Sequence, residues 1–201
     1  MLVSIIVTIV LVLVWLYVLH LLTKSELSFW RFLVGSAGTF ILGMVWVRPY
    51  LTHPLAQVVA AISGIVGQIT GFYSTYFKYG VIFVNTLMGD SMTLVIDFEC
   101  SGILEIMAFL SLLIFFRAYT KTEKLIVGAV GTVLLLLFNA LRITIICLMI
   151  HFGGTSMYYV AHTFVGRIVF YVLSIALYFY VFTRTQVIRQ KVGGFKYGHS
   201  S

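Results

Sequence analysis

The chain has 201 residues, of which 61% are hydrophobic and 9% charged, with a net charge of +7 from 13 Lys+Arg against 6 Asp+Glu. A soluble domain carries about 25% charged residues, so the composition excludes a water-soluble fold and predicts an all-α polytopic membrane protein. The basic residues stand in short runs between apolar stretches. That is the pattern of membrane orientation and argues against nucleic-acid binding.

In chain order, the sequence predicts one integral membrane domain over 1–201. It has about five transmembrane helices, an outer interfacial helix and a short β-hairpin. The spans are placed at about 1–23, 29–47, 101–117, 125–150 and 158–182, using ~20 residues per crossing. The N-terminus is apolar from Met1 without a basic leader region, so it is read as a first span and not as a removed signal peptide. Segment 48–100 differs in character and is assigned to the extracytoplasmic side; the tail 183–201 is cytoplasmic. Lys24 and Arg31, then Arg117, Lys121 and Lys124, then Arg184, Arg189, Lys191 and Lys196 mark three basic clusters. All three are cytoplasmic together only if the N-terminus and 48–100 both lie outside.

Within 48–100, residues 55–72 put Gln57, Ala61, Gly64, Gln68 and Gly71 on one helical face, with Val58, Ile62, Ile65 and Ile69 opposite. This predicts an amphipathic helix along the outer interface, with a sixth span as the alternative. Residues 80–99 change to a period of two: Met92, Leu94, Ile96 and Phe98 alternate with Thr93, Val95, Asp97 and Glu99. Turn residues 87–91 separate this run from Val81–Val84, which predicts a hairpin whose second strand leads to Cys100. Residues 192–201 are read as a disordered tail.

Four ionisable residues fall within the predicted spans: Glu105, Arg142, His162 and Arg167. Such residues are costly in lipid and normally face protein or a water-filled cavity. At 1.5 Å per residue, Arg142 lies roughly 12 Å below the outer end of its span and His162 roughly 6 Å, with Glu105 about 7 Å below Cys100 and Arg167 about 13 Å deep. Orientation from the loops alone therefore gathers Cys100, Arg142 and His162 in the outer leaflet on three different helices. A thiol needs a base to attack, an imidazole can take its proton, and a guanidinium keeps its charge and can stabilise an oxyanion. Gly102 permits close backbone approach, and the start of a helix is expected to lower the thiol pKa. Asn139, three residues before Arg142, is placed to orient it.

Each of these residues also has a plain structural reading. Cys100 can be a structural thiol, and Cys147, inside an apolar run, is read as a buried small hydrophobe. His20, His53, His151 and His199 are read as interfacial. Arg142 or Arg167 can form an ion pair with Glu105, although one acid cannot neutralise both. No ligand spacing suggests a metal, and no cofactor is expected.

Three blocks then carry a resemblance: residues 98–103 (Phe-Glu-Cys-Ser-Gly-Ile), 139–143 (Asn-Ala-Leu-Arg-Ile) and 161–166 (Ala-His-Thr-Phe-Val-Gly). In this order, each on its own helix and with a hairpin entering the Cys-Ser-Gly block, they resemble the exosortase/archaeosortase family of cysteine transpeptidases. The likeness covers about 48–182. The short chain is similar to the compact subgroup found in Gram-positive bacteria. The resemblance implies Cys100 as nucleophile, His162 as acid/base and Arg142 as oxyanion stabiliser, supported by Glu105, Asn139, Gly102 and Arg167. It implies cleavage of a C-terminal sorting signal on exported proteins through a thioester at the outer membrane face, with an envelope glycan or lipid as a possible acceptor and membrane lipids as surroundings. The competing expectation is a non-catalytic subunit of an envelope polysaccharide or protein-export assembly, using Arg142 and Arg167 to hold an anionic lipid. A small transporter is a third expectation, but the paired broken helices or repeats that usually mark one are not found.

Overall fold

The computed structural model describes residues 2–187, with side chains from residue 8. Six helices and one small sheet follow in order: α1 (Leu2–Lys24), α2 (Ser28–Trp46), α3 (Arg48–Thr70), β1 (Tyr73–Tyr76), β2 (Val81–Asn85), β3 (Ser91–Val95), α4 (Ile103–Phe115), α5 (Lys121–Gly153) and α6 (Gly166–Tyr178). The core of α6 belongs to a longer helical run, Thr155–Val187. That run contains π-helical stretches at Val160–Val165 and Phe179–Arg184. Large apolar side chains of α1, including Leu11, Leu13, Val14 and Leu16, stand exposed. Such a surface is stable only against lipid. The chain is a helical polytopic membrane protein.

Small residues let the helices close on one another. Phe115 lies over Gly35 and Met107 over Gly43, so α2 and α4 are antiparallel. Phe109 fills the space above Gly131, and Asn139 meets Gly102, so α4 and α5 are antiparallel too. Trp15 packs on Gly38 and donates its indole N–H to the Val34 carbonyl at 3.0 Å, joining α1 to α2. A capping box at Thr120 and Glu123 starts α5. It follows that the chain leaves α2 and enters α4 at the same end of the bundle.

The segment between them holds α3 and the sheet. By length and composition α2, α3, α5 and the run Thr155–Val187 could each cross a membrane, whereas Thr8–Lys24 and Ile103–Phe115 are shorter. α4 is shorter than the predicted 101–117 because Gly102, at φ 77°, holds the preceding turn in the left-handed region and delays the helix to Ile103. α3 extends the predicted 55–72 helix back to Arg48, with Pro49 accommodated in its first turn. Its buried face is the small-residue stripe Ala56, Val59, Ala60, Ser63, Gly64 and Gly67, while Val58, Ile65 and Ile69 point outward. The expected split of the helix into a Gln/Gly face and a Val/Ile face is thus rotated. Small side chains face the sheet because only they admit its backbone.

The sheet has the order β1-β2-β3, all antiparallel. The predicted hairpin is β2–β3, with Val81 opposite Val95 and Asn85 opposite Ser91. Its second strand stops at Val95 and not at Glu99, since Asp97–Glu99 turn into the Cys100 loop. β1 was not expected; Tyr-Ser-Thr-Tyr has strand propensity but follows directly on the helix-ending Gly71. One sheet face presents Ile82, Val84 and Ile96 to a core shared with α3 and with Ile143, Ile146, Cys147 and Ile150 of α5. His151 is buried, stacked on Phe72 and bonded through Nδ1 to the Asn85 carbonyl, so it ties the hairpin to α5 and is not merely interfacial. His20 and His53 are exposed. His199 and the predicted tail 192–201 lie outside the described residues.

Tyr73 is the bolt between sheet, α3 and α5. Its hydroxyl donates to the Ser63 carbonyl at 2.6 Å and lies 3.3 Å from Thr144 Oγ1, in a buried setting. Tyr73→Phe removes this second hydrogen bond to a carbonyl that stays bonded within α3 and should cost about 0.5–1.5 kcal/mol. Thermal unfolding in detergent checks this: the expected result is a lowered Tm with unchanged helix content, and an unchanged Tm would show that the bond contributes nothing.

Candidate active site

Residues 96–102 carry the chain from β3 to α4 in a compact turn. Asp97 shapes it. Its Oδ1 accepts the Cys100 N–H at 3.1 Å, and its own carbonyl accepts the same N–H at 3.2 Å. Ser101 Oγ donates to the Phe98 carbonyl at 2.9 Å, closing the turn from the other side. Arg48, at the start of α3, stacks its guanidinium 3.6 Å above the Phe98 ring. Asn139 of α5, fully buried, donates from Nδ2 to the Cys100 carbonyl at 2.7 Å. Asn139 therefore holds the cysteine turn and not Arg142, as the sequence had suggested. Gly102 serves this contact: a Cβ there would sit 3.2 Å from Asn139 Nδ2.

Three predicted residues meet at the sulfur. Cys100 is 3% exposed, and its Sγ lies 3.0 Å from His162 Nε2. Arg142, also 3% exposed, brings Nη2 to 3.8 Å from the same Sγ and donates from Nη1 to the Glu99 carbonyl at 3.4 Å. The guanidinium also lies 5.8 Å from the centre of the Phe170 ring. No carboxylate is within ion-pair distance of Arg142 among the described residues.

Burial pushes the Cys100 thiol up to about 12; Arg142 pulls in the opposite direction, and Asp97 adds to the rise. The expectation that a helix start lowers this pKa is overturned. Cys100 precedes the helix by three residues, and loss of water outweighs the charges around it. At neutral pH the resting group is a thiol, and the imidazole at 3.0 Å is the atom placed to take its proton.

The expected ion pairs with Glu105 do not form. Arg167 instead bonds Glu99 Oε2 at 2.9 Å, with both side chains substantially exposed. The reason is the π-helical stretch Val160–Val165, where the Gly166 N–H reaches back to Ala161. A π turn takes more residues than an α turn, so Arg167 follows His162 by about one turn. Glu105 accepts the Tyr178 hydroxyl on its backbone carbonyl and lines a separate groove with Ser174 and Tyr178.

The Cys100–His162 pair opens on a cavity of about 150 Å³, lined by Met92–Ile96, Ile82, Ile143, Ile146 and Tyr158. The Tyr158 ring stacks on His162 at 5.4 Å, which fixes the imidazole plane. Sequence reasoning missed Asp97 and Tyr158. Their signals are present as an acid three residues before the cysteine, suited to a side-chain-to-backbone turn, and an aromatic four before the histidine. Cys147 is fully buried in the sheet-facing core. Among the described residues no group of three His, Cys, Asp or Glu side chains gathers as for a metal.

A protein-family model described as a transmembrane exosortase matches residues 2–180. No curated protein and no solved structure matches the chain. The family carries a membrane transpeptidase-type role in general. Its model spans the cysteine turn together with the helices bearing Arg142 and His162, and the chain belongs to the transmembrane exosortase family.

Proposed function

We propose that the protein is a membrane-embedded cysteine transpeptidase or peptidase that cleaves the C-terminal sorting signal of exported proteins through a thioester on Cys100. The observation that carries this reading is the convergence on one sulfur of His162 Nε2 at 3.0 Å and Arg142 Nη2 at 3.8 Å, in a cavity large enough to admit a side chain. His162 Nε2 takes the thiol proton as the sulfur attacks the scissile carbonyl carbon, and the carbonyl π electrons pass to oxygen. Arg142 stabilises that oxyanion. Collapse expels the amine, which leaves with the proton from His162, and Cys100 holds the acyl group as a thioester. Water or an acceptor nucleophile then gives its proton to His162, attacks the thioester carbon and releases the sulfur.

The same proposal has the site face the extracytoplasmic side of the cell membrane. Residues 48–102 leave and re-enter the bundle at one end, and the basic loops with Lys24, Arg117, Lys121 and Lys124 lie at the other. The positive-inside rule then puts Cys100 on the extracytoplasmic side of five crossings, with α3 lying outside. The lipid-binding alternative fits less well. Arg142 is buried against the thiol, and Arg167 is already paired with Glu99.

Cys100→Ala should abolish release of the C-terminal segment from an exported substrate in native cells, whereas Cys147→Ala should retain it. Equal loss in both at normal membrane levels would remove Cys100 from the chemistry. The base role has a pH signature. With the thiol held at about 12, the thiolate is scarce at pH 7 and increases as pH rises toward that value. His162→Ala should therefore slow processing by about 10²–10⁴-fold at pH 7, the range for a lost general base. The deficit should narrow between pH 7 and 10 as solvent ionises the sulfur. A deficit that stays constant over that range in a reconstituted assay would rule out proton abstraction by His162.

A further inference from the structure

β3 is the last strand of its sheet, and among the described residues its outer edge has no partner strand. The ladder shows which groups that edge presents. Ile96 N–H bonds the Gly80 carbonyl, and Thr86 N–H bonds the Asp90 carbonyl, both continuing the β2–β3 register. In an antiparallel pair, bonded residues alternate. Met92, Leu94 and Ile96 therefore point their backbone groups at β2, while Thr93 and Val95 point theirs outward. Soluble and membrane proteins alike defend such edges with charge, proline or a covering segment. Ser91, Thr93 and Val95 supply neither charge nor proline, and Val95 is 64% exposed.

This edge is part of the site. Residues Met92 to Ile96 form one wall of the cavity whose other wall carries Cys100 and His162. A chain laid along β3 in extended form would pass the sulfur within a few residues, with alternate side chains falling into an apolar cavity beside Ile146 and Tyr158.

We propose that the substrate binds by strand addition, as an extended, apolar segment paired to the Thr93 and Val95 backbone of β3, which delivers its scissile carbonyl to Cys100. The proposal rests on the cysteine transpeptidase reading and adds to it the conformation and chemistry of the segment recognised. Backbone pairing supplies affinity, and the cavity selects the alternate side chain.

The test uses the full-length wild-type protein in nanodiscs and an apolar hexapeptide ending in a vinyl sulfone. The Cys100 sulfur adds to the vinyl group, forming a carbon–sulfur bond as the carbon–carbon π bond breaks, and the thiol proton ends on the adjacent carbon. Labelling rates are compared across a series of probes carrying one N-methyl group at successive amides. Strand addition predicts a period of two: methylation at alternate amides slows labelling about tenfold or more, the scale of one or two lost hydrogen bonds. The intervening positions should label normally. Val95→Pro, which removes an outward N–H and spares the β2 pairing, should slow the peptide probe by a similar factor and leave labelling by iodoacetamide unchanged.

A flat N-methyl profile would overturn the proposal while leaving the transpeptidase reading intact. That reading fails separately if processing survives Cys100→Ala. Thr93→Cys, in a background lacking Cys100 and Cys147, provides the remaining arm. Disulfide-linked dimers that form on addition of an oxidant, and whose formation excess peptide does not prevent, would give the edge to a second copy and also overturn the proposal.

Discussion

Arg142 carries a permanent charge into a site where water contributes little, and among the described residues no carboxylate pairs with it there. A buried guanidinium without a counter-ion is costly, so the fold must offer it other partners. These are a backbone carbonyl at Glu99, the ring of Phe170 and the sulfur of Cys100. The Cys100 turn is built to meet that need. Asp97 and Ser101 close it, Asn139 anchors it to the helix that carries Arg142, and Gly102 lets Asn139 come close. Under the proposed reaction, the charge left unmatched at rest is matched when the sulfur or the carbonyl oxygen becomes negative.

The sheet and the π-helical stretch serve the same placement from two sides. β3 sets where the turn begins, and its docking on α3 and α5 through Tyr73, Phe72 and His151 prevents the turn from drifting. The widened turn at Val160–Val165 brings His162 to the sulfur and swings Arg167 beneath it. Glu99 then pairs with Arg167 by its side chain and with Arg142 by its backbone. One residue thus touches both arginines without neutralising the buried one.

Much of this was legible in the residues. Span-length apolar runs, the hairpin and the gathering of Cys100, Arg142 and His162 toward one end of the bundle follow from hydropathy, period and loop charge. What could not be read comes from tertiary geometry. A π turn leaves no periodic mark, so the sequence does not show how Arg167 stands relative to His162 around their helix. β1 has only four residues, too few for a pattern to show. The thiol pKa depends on burial to 3% exposure, which no helix-start rule contains. The α3 faces were rotated because close approach to the sheet selects small side chains over a hydrophobic face.

The exosortase family match bears on the class of activity, whereas the role of Arg142 rests on geometry alone. That role is tested most directly by Arg142→Lys compared with Arg167→Lys in a reconstituted processing assay. Lysine keeps the charge and loses the planar fork. The account predicts that Arg142→Lys leaves protein abundance intact and lowers turnover by ~10²-fold or more, the scale of a lost oxyanion donor. Arg167→Lys, in an exposed pair, should stay close to wild type. Full turnover in Arg142→Lys would contradict the account and leave Arg142 a structural residue of the cysteine turn.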